Sequence, residues 1–273
     1  MGWNGTTATP VARLGRPVGA VRPVQGAVVL LPDGRPVSRR PPFPPATAAG
    51  TLPLARRLVR EAGPDGLVVH TVHYRWRDRN GDAAHPADAA RWALDEVRRR
   101  YGDIPVCLVG TGVGARAALR AADHPAVESV VALAPWLPPS GENCCATTGG
   151  PHCDPVAQLA DRQVLFVHGT EDRRSDPEHA FRLALRAKRV TGRVCRFEAH
   201  GDGHQLHGYR REVRALTVDF ALGTLYGRDF ARPLTDALLA PAPLGLRMPL
   251  AAGFGRAPRR PRGAWRAPAH RDG

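Results

Sequence analysis

Two residues that could perform acid–base chemistry follow separate apolar runs in the C-terminal half of the chain. Asp172 comes shortly after the run 164–167, and His204 comes shortly after the run 194–197. A carboxylate that orients an imidazole makes the imidazole a general base, which takes a proton from a hydroxyl nucleophile or from water. The sequence therefore predicts that Asp172 and His204 act as a pair.

The nucleophile that such a pair would activate is missing from its expected position. Gly110, Gly112 and Gly114 lie between an apolar run and an alanine-rich segment. This is the strand–tight turn–helix context in which the motif G-x-S-x-G places a nucleophilic serine. The middle position here is Gly112, which has no group that can attack a carbonyl. Thr111 cannot replace it, because a motif centred on Thr111 would need glycines where valines stand.

The elements that must position these residues alternate between strands and helices. Six apolar runs predict strands, at 26–31, 67–74, 106–109, 127–134, 164–167 and 194–197. Helical patterns separate these runs, so the sequence predicts an α/β fold with an open, mostly parallel sheet of about six strands and helices on both faces. In such a sheet the functional residues lie at the carboxyl ends of the strands, where Gly112, Asp172 and His204 fall.

These residues follow one another in the chain order of the α/β-hydrolase triad: nucleophile position, acid, histidine. With the blocks 29–34, 109–115, 168–172 and 201–204, the chain resembles the α/β-hydrolase superfamily over roughly residues 26–227. The resemblance is to small esterases and dienelactone-hydrolase-like enzymes with a minimal lid, of the type found in actinobacteria.

The resemblance implies a role for each matching residue. Asp172 corresponds to the triad acid, His204 to the general base and Gly112 to the nucleophile position, which is substituted. His200 and His207 are weaker candidates for the base, because neither lies at the glycine-flanked position of the family's motif.

The resemblance also implies an oxyanion hole, formed by one backbone N–H from the loop that contains Asp33 and Gly34 and by another from Val113. A carboxylate at Asp33 would be unfavourable beside a developing oxyanion, unless it points outward or is neutralised by a neighbour such as Arg35. The sequence is equally compatible with Asp33 as an acidic residue of a surface turn.

Charge is concentrated at the two ends of the 273-residue chain, whose formal net charge is +14. Residues 1–45 carry six arginines against one acid, and residues 228–273 carry nine arginines against three acids, which leaves about +3 for the rest. We expect an irregular N-terminal arm at 1–25, the hydrolase-like domain at 26–227 and a disordered tail at 228–273 rich in Arg, Pro and Ala. Nucleic-acid binding is not expected, because the basic tail is the only feature that would support it and the tail offers no basic stripe with interleaved aromatic residues.

Cys144, Cys145 and Cys153 lie in a Cys- and Gly-rich loop insertion at 140–154. Their spacing does not match the C-x₂₋₄-C spacing of zinc sites, so free thiols are favoured and no metal or cofactor is predicted. The segment 237–254 is apolar on average, but prolines and Arg247 interrupt it, so no membrane span is predicted. With no secretory signal visible, we expect a cytoplasmic protein.

Three functions remain open for this residue set. The first is a slow hydrolase in which His204 activates water, and the second is an enzyme that uses the Asp–His pair as a base, like the cofactor-free lyases and dioxygenases of the superfamily. The third is a pseudoenzyme that binds a ligand. The sequence favours a hydrolase-family protein for small acyl or ester ligands with covalent catalysis impaired or lost. From the sequence alone, Gly112→Ser is expected to restore reaction with activated esters.

Overall fold

The computed structural model describes residues 12–19, 23–34, 50–74, 85–137 and 154–255. The strands in these ranges are β1 (Ala12–Leu14), β2 (Val18–Gly19), β3 (Gly26–Leu31), β4 (Leu67–Tyr74), β5 (Val106–Thr111), β6 (Val127–Leu133), β7 (Gln163–Gly169), β8 (Val194–Ala199) and β9 (Met248–Pro249). The α-helices are α1 (Leu52–Ala62), α2 (His85–Tyr101), α3 (Val113–Arg120), α4 (Pro177–Thr191), α5 (Arg210–Tyr226) and α6 (Arg232–Leu239).

The strands form one sheet in the order β1-β4-β3-β5-β6-β7-β8-β9, with β2 also paired to β4. Strands β3 to β9 are parallel to their neighbours, whereas β1 and β2 are antiparallel to β4. All six predicted strands are present, and the prediction of an open, mostly parallel sheet is confirmed. The chain runs from β3 outward to β4 and then crosses back to β5, so the ends of β3 and β5 lie side by side at a topological switch point.

Each face of the sheet is covered by helices because the strands are apolar on both sides. In β3, Val29 and Leu31 belong to the core shared with α2, α3 and α4, whereas Val28 and Leu30 belong to the core shared with α1, α5 and α6. The alternation follows from the two-residue period of side chains along a strand. The fold is therefore a three-layer α/β structure, as predicted.

The two ends of the chain contain more regular structure than the sequence predicts. β1 and β2 lie within the arm 1–25, and α6 and β9 lie within the tail 228–273. Ala237 and Leu250 are buried in the core beside α5, and the backbone of β9 continues the sheet beyond β8. The expectation of disorder fails here because an average over an Arg- and Pro-rich segment conceals a few apolar residues at packing positions.

The structure describes only some of the residues on which the cysteine, metal and membrane predictions rest. Cys107 and Cys195 are buried free thiols, whereas Cys144, Cys145 and Cys153 lie outside the described residues. Within the described ranges, no group of three or more His, Cys, Asp or Glu side chains is arranged to hold a metal ion. In the same part of the chain, no helix is long and apolar enough to cross a membrane.

Close packing of α3 on the end of β3 gives the first prediction. A Cβ atom at Gly114 would lie 2.1 Å from the carbonyl oxygen of Leu31, which is backbone and cannot move aside cheaply. Gly114→Ala is therefore expected to lower the free energy of unfolding by about 1–3 kcal/mol, measured by denaturant titration. Gly203→Ala is the matched control, because its Cβ would meet its nearest atom at 3.9 Å. Equal stability of the two variants would contradict this packing.

Candidate active site

The turn between β5 and α3 has the tight geometry that a nucleophile turn requires. Gly112 has φ 55° and ψ −117°, a conformation that is strained for residues with a Cβ atom. Its N–H donates to the carbonyl oxygen of Leu133 at 2.9 Å, and its own carbonyl accepts from the N–H of Trp136 at 3.0 Å. A Cβ at Gly110 would lie 2.3 Å from the Gly114 carbonyl oxygen. Close backbone contacts therefore require glycine at residues 110 and 114, whereas glycine at residue 112 avoids backbone strain.

Asp172 and His204 meet at the carboxyl ends of β7 and β8. The Nδ1 atom of His204 lies 2.7 Å from Oδ2 of Asp172. The other carboxylate oxygen of Asp172 accepts backbone N–H groups from Arg174 at 2.8 Å and Ser175 at 3.0 Å. Burial alone would raise the pKa of Asp172, but hydrogen bonds from His168, His204 and these amides outweigh burial and hold the pKa well below its usual value.

The two weaker candidates for the base do not share this arrangement. His200 and His207 are exposed, and His207 contacts Arg210. Of the three candidate histidines, His204 is the one that contacts Asp172.

The space above Gly112 is filled by the carboxylate of Asp33. A Cβ atom built on Gly112 would lie 2.0 Å from Oδ1 of Asp33 and 2.4 Å from its Cγ. Asp33 therefore occupies the position that a side chain at the turn would take. A serine introduced at residue 112 would therefore have to displace the Asp33 side chain, which the expectation from the sequence did not include.

The groups around Asp33 bind both of its oxygens. The Val113 N–H donates to Oδ1 at 3.1 Å, and the Gly34 backbone amide also hydrogen-bonds the carboxylate. Oδ2 lies 2.8 Å from Nη1 of Arg174 and 3.4 Å from Nε2 of His204. Burial alone would raise the pKa of Asp33, but His204, Arg174 and the two amides hold it below its usual value.

Of the alternatives left open from the sequence, the structure shows Asp33 pointing into the site and neutralised by a neighbour. That neighbour is Arg174; Arg35 lies outside the described residues. The amides of Val113 and Gly34, which the resemblance assigns to an oxyanion hole, donate to the Asp33 carboxylate. A carboxylate oxygen stands where the hole would receive a substrate oxygen.

His204 lies between two carboxylates, which favour its protonated form. Burial alone would lower its pKa, but Asp172 and Asp33 outweigh burial and raise the pKa of His204 to about 9. The residue is 8% exposed, and its Nε2 makes no well-oriented hydrogen bond. A protonated imidazole cannot accept a proton, so the two carboxylates oppose a role for His204 as a general base.

Sequence reasoning missed two residues of the site. Arg174 bridges Asp33 and the Gly34 carbonyl, and buried His168 places its Nε2 2.9 Å from Oδ2 of Asp172. Arg174 is separated from Asp172 by one residue, but in a chain so rich in arginine its identity carries no signal. His168 lies four residues before Asp172, and this short spacing is the sequence feature that could have indicated their contact.

Solved structures of hydrolases share this fold. A monoacylglycerol lipase from Paleococcus ferrophilus has a TM-score of 0.56 and 16% identity, over 78% of this chain and 99% of the lipase. An esterase from Thermogutta terrifontis has a TM-score of 0.60 and 17% identity, over 80% of this chain and 92% of the esterase. At these identities the similarity shows the fold alone, which is the α/β-hydrolase fold. No protein-family model matches the chain, and no curated protein sequence matches it.

The second prediction concerns the pH dependence of stability. The folded-state pKa of His204, about 9, exceeds its unfolded value near 6.5. The stability that His204 contributes is therefore fully present below pH ~6.5 and is lost as the pH rises through about 9. After allowance for solvent screening we expect a loss of about 1–2 kcal/mol, measured by denaturant unfolding between pH 6 and 9.5.

Asp33→Asn is the comparison variant, because it removes one carboxylate facing His204 while keeping the shape of the side chain. Its stability should change less over the same pH interval. The electrostatic account of His204 would be contradicted by identical pH profiles for the two proteins.

Proposed function

We propose that this chain is a hydrolase-fold protein that has lost covalent catalysis and retains the site for ligand binding. The observation that carries this proposal is the carboxylate of Asp33 in the space above Gly112. Gly112 removes the attacking group, and Asp33 fills the vacated space and the amide donors beside it. Both halves of the covalent mechanism, the nucleophile and the oxyanion site, are affected together.

The charge state of His204 argues against the two catalytic alternatives at neutral pH. Hydrolysis by an activated water and proton abstraction by the Asp–His pair both require a neutral imidazole. Asp172 and Asp33 both raise the pKa of His204 and so favour its imidazolium form. A binding protein is therefore preferred to a slow hydrolase or to a cofactor-free lyase or dioxygenase.

The ligand class proposed for the site is a small acyl compound. The Thermogutta esterase, which shares the fold, is known with propionate bound and with butyrate bound. The same protein is also known phosphonylated by sarin, so an organophosphorus reagent is a suitable probe for a serine restored to this fold.

The third prediction tests the elbow and its occupant together. Gly112→Ser alone is expected to react little with a fluorophosphonate probe, because Asp33 lies where the serine Cβ must go. The double variant Asp33→Ala with Gly112→Ser opens that space and should be labelled at least tenfold faster, measured by intact-protein mass spectrometry. Asp33 also raises the pKa of His204, so its removal should lower that pKa and make the neutral imidazole, which can accept a proton, available nearer neutral pH.

Two controls make this experiment specific. Asp33→Ala alone should remain unlabelled, and adding His204→Ala to the double variant should abolish labelling. No labelling of a folded double variant would contradict the assignment of residue 112 as the nucleophile position. Turnover of short-chain esters by the unmodified protein at neutral pH, abolished by His204→Ala, would contradict the loss of catalysis.

A further inference from the structure

The groups around Asp33 form a receptor for one carboxylate. Val113 and Gly34 supply amide hydrogens, Arg174 supplies a guanidinium, and His204 supplies an imidazolium. Val113 is also the first residue of α3, so the helix dipole favours negative charge at this point. A carboxylate is planar with two oxygens, and these donors approach its two oxygens separately.

A buried hydrogen-bond donor is a second observation at this site, independent of the helix N-terminus. Nε2 of His204 is buried and lacks a well-oriented hydrogen bond, although Oδ2 of Asp33 is only 3.4 Å away. A buried polar atom without a good partner is costly, so its presence calls for an explanation. A carboxylate placed slightly differently from that of Asp33, and not tied to the backbone at residue 33, could receive this hydrogen.

We propose that this set of donors is a binding site for a small free carboxylate, and that Asp33 is its tethered competitor. The inference rests on the proposed function and deepens it by assigning the ligand as an acid and not an ester. Arg174, for which the resemblance implies no role, is the residue that gives the site this preference. An external acid enters by displacing the Asp33 side chain.

Charge balance is the reason that the proposed ligand is an acid. The site holds Asp33 and Asp172 against Arg174 and His204, so its formal charges cancel while Asp33 is in place. When Asp33 leaves, the Arg174 guanidinium loses its carboxylate partner and Nε2 of His204 loses the carboxylate that faces it. A monoanion replaces both contacts, whereas a neutral ester or amide of the same shape leaves the guanidinium unpaired, which is unfavourable.

The experiment removes the competitor and compares a matched pair of small molecules. Asp33→Ala is titrated with sodium acetate and with acetamide, at constant ionic strength and pH 7, by isothermal calorimetry and by the shift of the Val113 amide resonance. Acetate should bind the variant at least tenfold more tightly than it binds the unmodified protein, because a tethered carboxylate acts as a high local concentration of competitor. Acetamide should bind at least tenfold more weakly than acetate.

Asp33→Ala combined with Arg174→Gln is the control for the guanidinium, and it should lose most of the acetate affinity. If Asp33→Ala does not fold, Asp33→Gly takes its place, since it also clears the carboxylate. The proposal would be overturned by equal affinity for acetate and acetamide, by acetate binding that survives Arg174→Gln, or by a folded Asp33 variant that binds no better than the unmodified protein.

The outcomes separate this inference from the proposed function. If the double variant Asp33→Ala with Gly112→Ser is labelled by the fluorophosphonate but Asp33→Ala does not bind acetate, the carboxylate site is contradicted. The lost-nucleophile account is then still supported. Acetate binding without labelling would support the carboxylate site and contradict the lost-nucleophile account, because the anion site does not require residue 112 to be a nucleophile position.

Discussion

A side chain at residue 112 and the carboxylate of Asp33 compete for one small volume, and the rest of the site depends on which of them holds it. A Cβ at Gly112 would lie 2.0 Å from Oδ1 of Asp33, far closer than two such atoms can approach. The fold itself imposes this competition. β3 and β5 are adjacent parallel strands, with Leu31 in register with Gly110, so the residues that follow the two strands must share the same edge of the sheet.

The occupant of that volume also sets the charge of the imidazole. With Asp33 in place, His204 lies between two carboxylates and its pKa rises to about 9. Arg174 offsets the second carboxylate, so the cluster of Asp33, Asp172, His204 and Arg174 is neutral overall. A serine protease-like triad needs a neutral histidine to start its cycle. This arrangement favours a closed ion-pair network over proton transfer, which is the physical argument for the proposed binding function.

Much of the fold could be predicted from the sequence because its strands are continuous apolar runs. The limits of β3 and β4 match those predicted, and Asp172 and His204 lie at the predicted strand ends. The orientation of Asp33 could not be predicted, because a short acidic turn offers no periodicity. The partner that fixes it, Arg174, lies 141 residues away in the chain. Long-range ion pairs of this kind depend on the folded geometry, and one sequence does not encode them in any local pattern.

The most direct test of this account is the titration of His204 followed by NMR of its imidazole resonances in the unmodified protein and in Asp33→Asn. We predict a midpoint near pH 9 in the unmodified protein, and a fall of about 1–2 pH units when the facing carboxylate is neutralised. An unmodified protein that titrates near pH 6.5, or a midpoint that does not respond to Asp33→Asn, would contradict the claim that Asp33 fills the nucleophile space and holds His204 in its charged form.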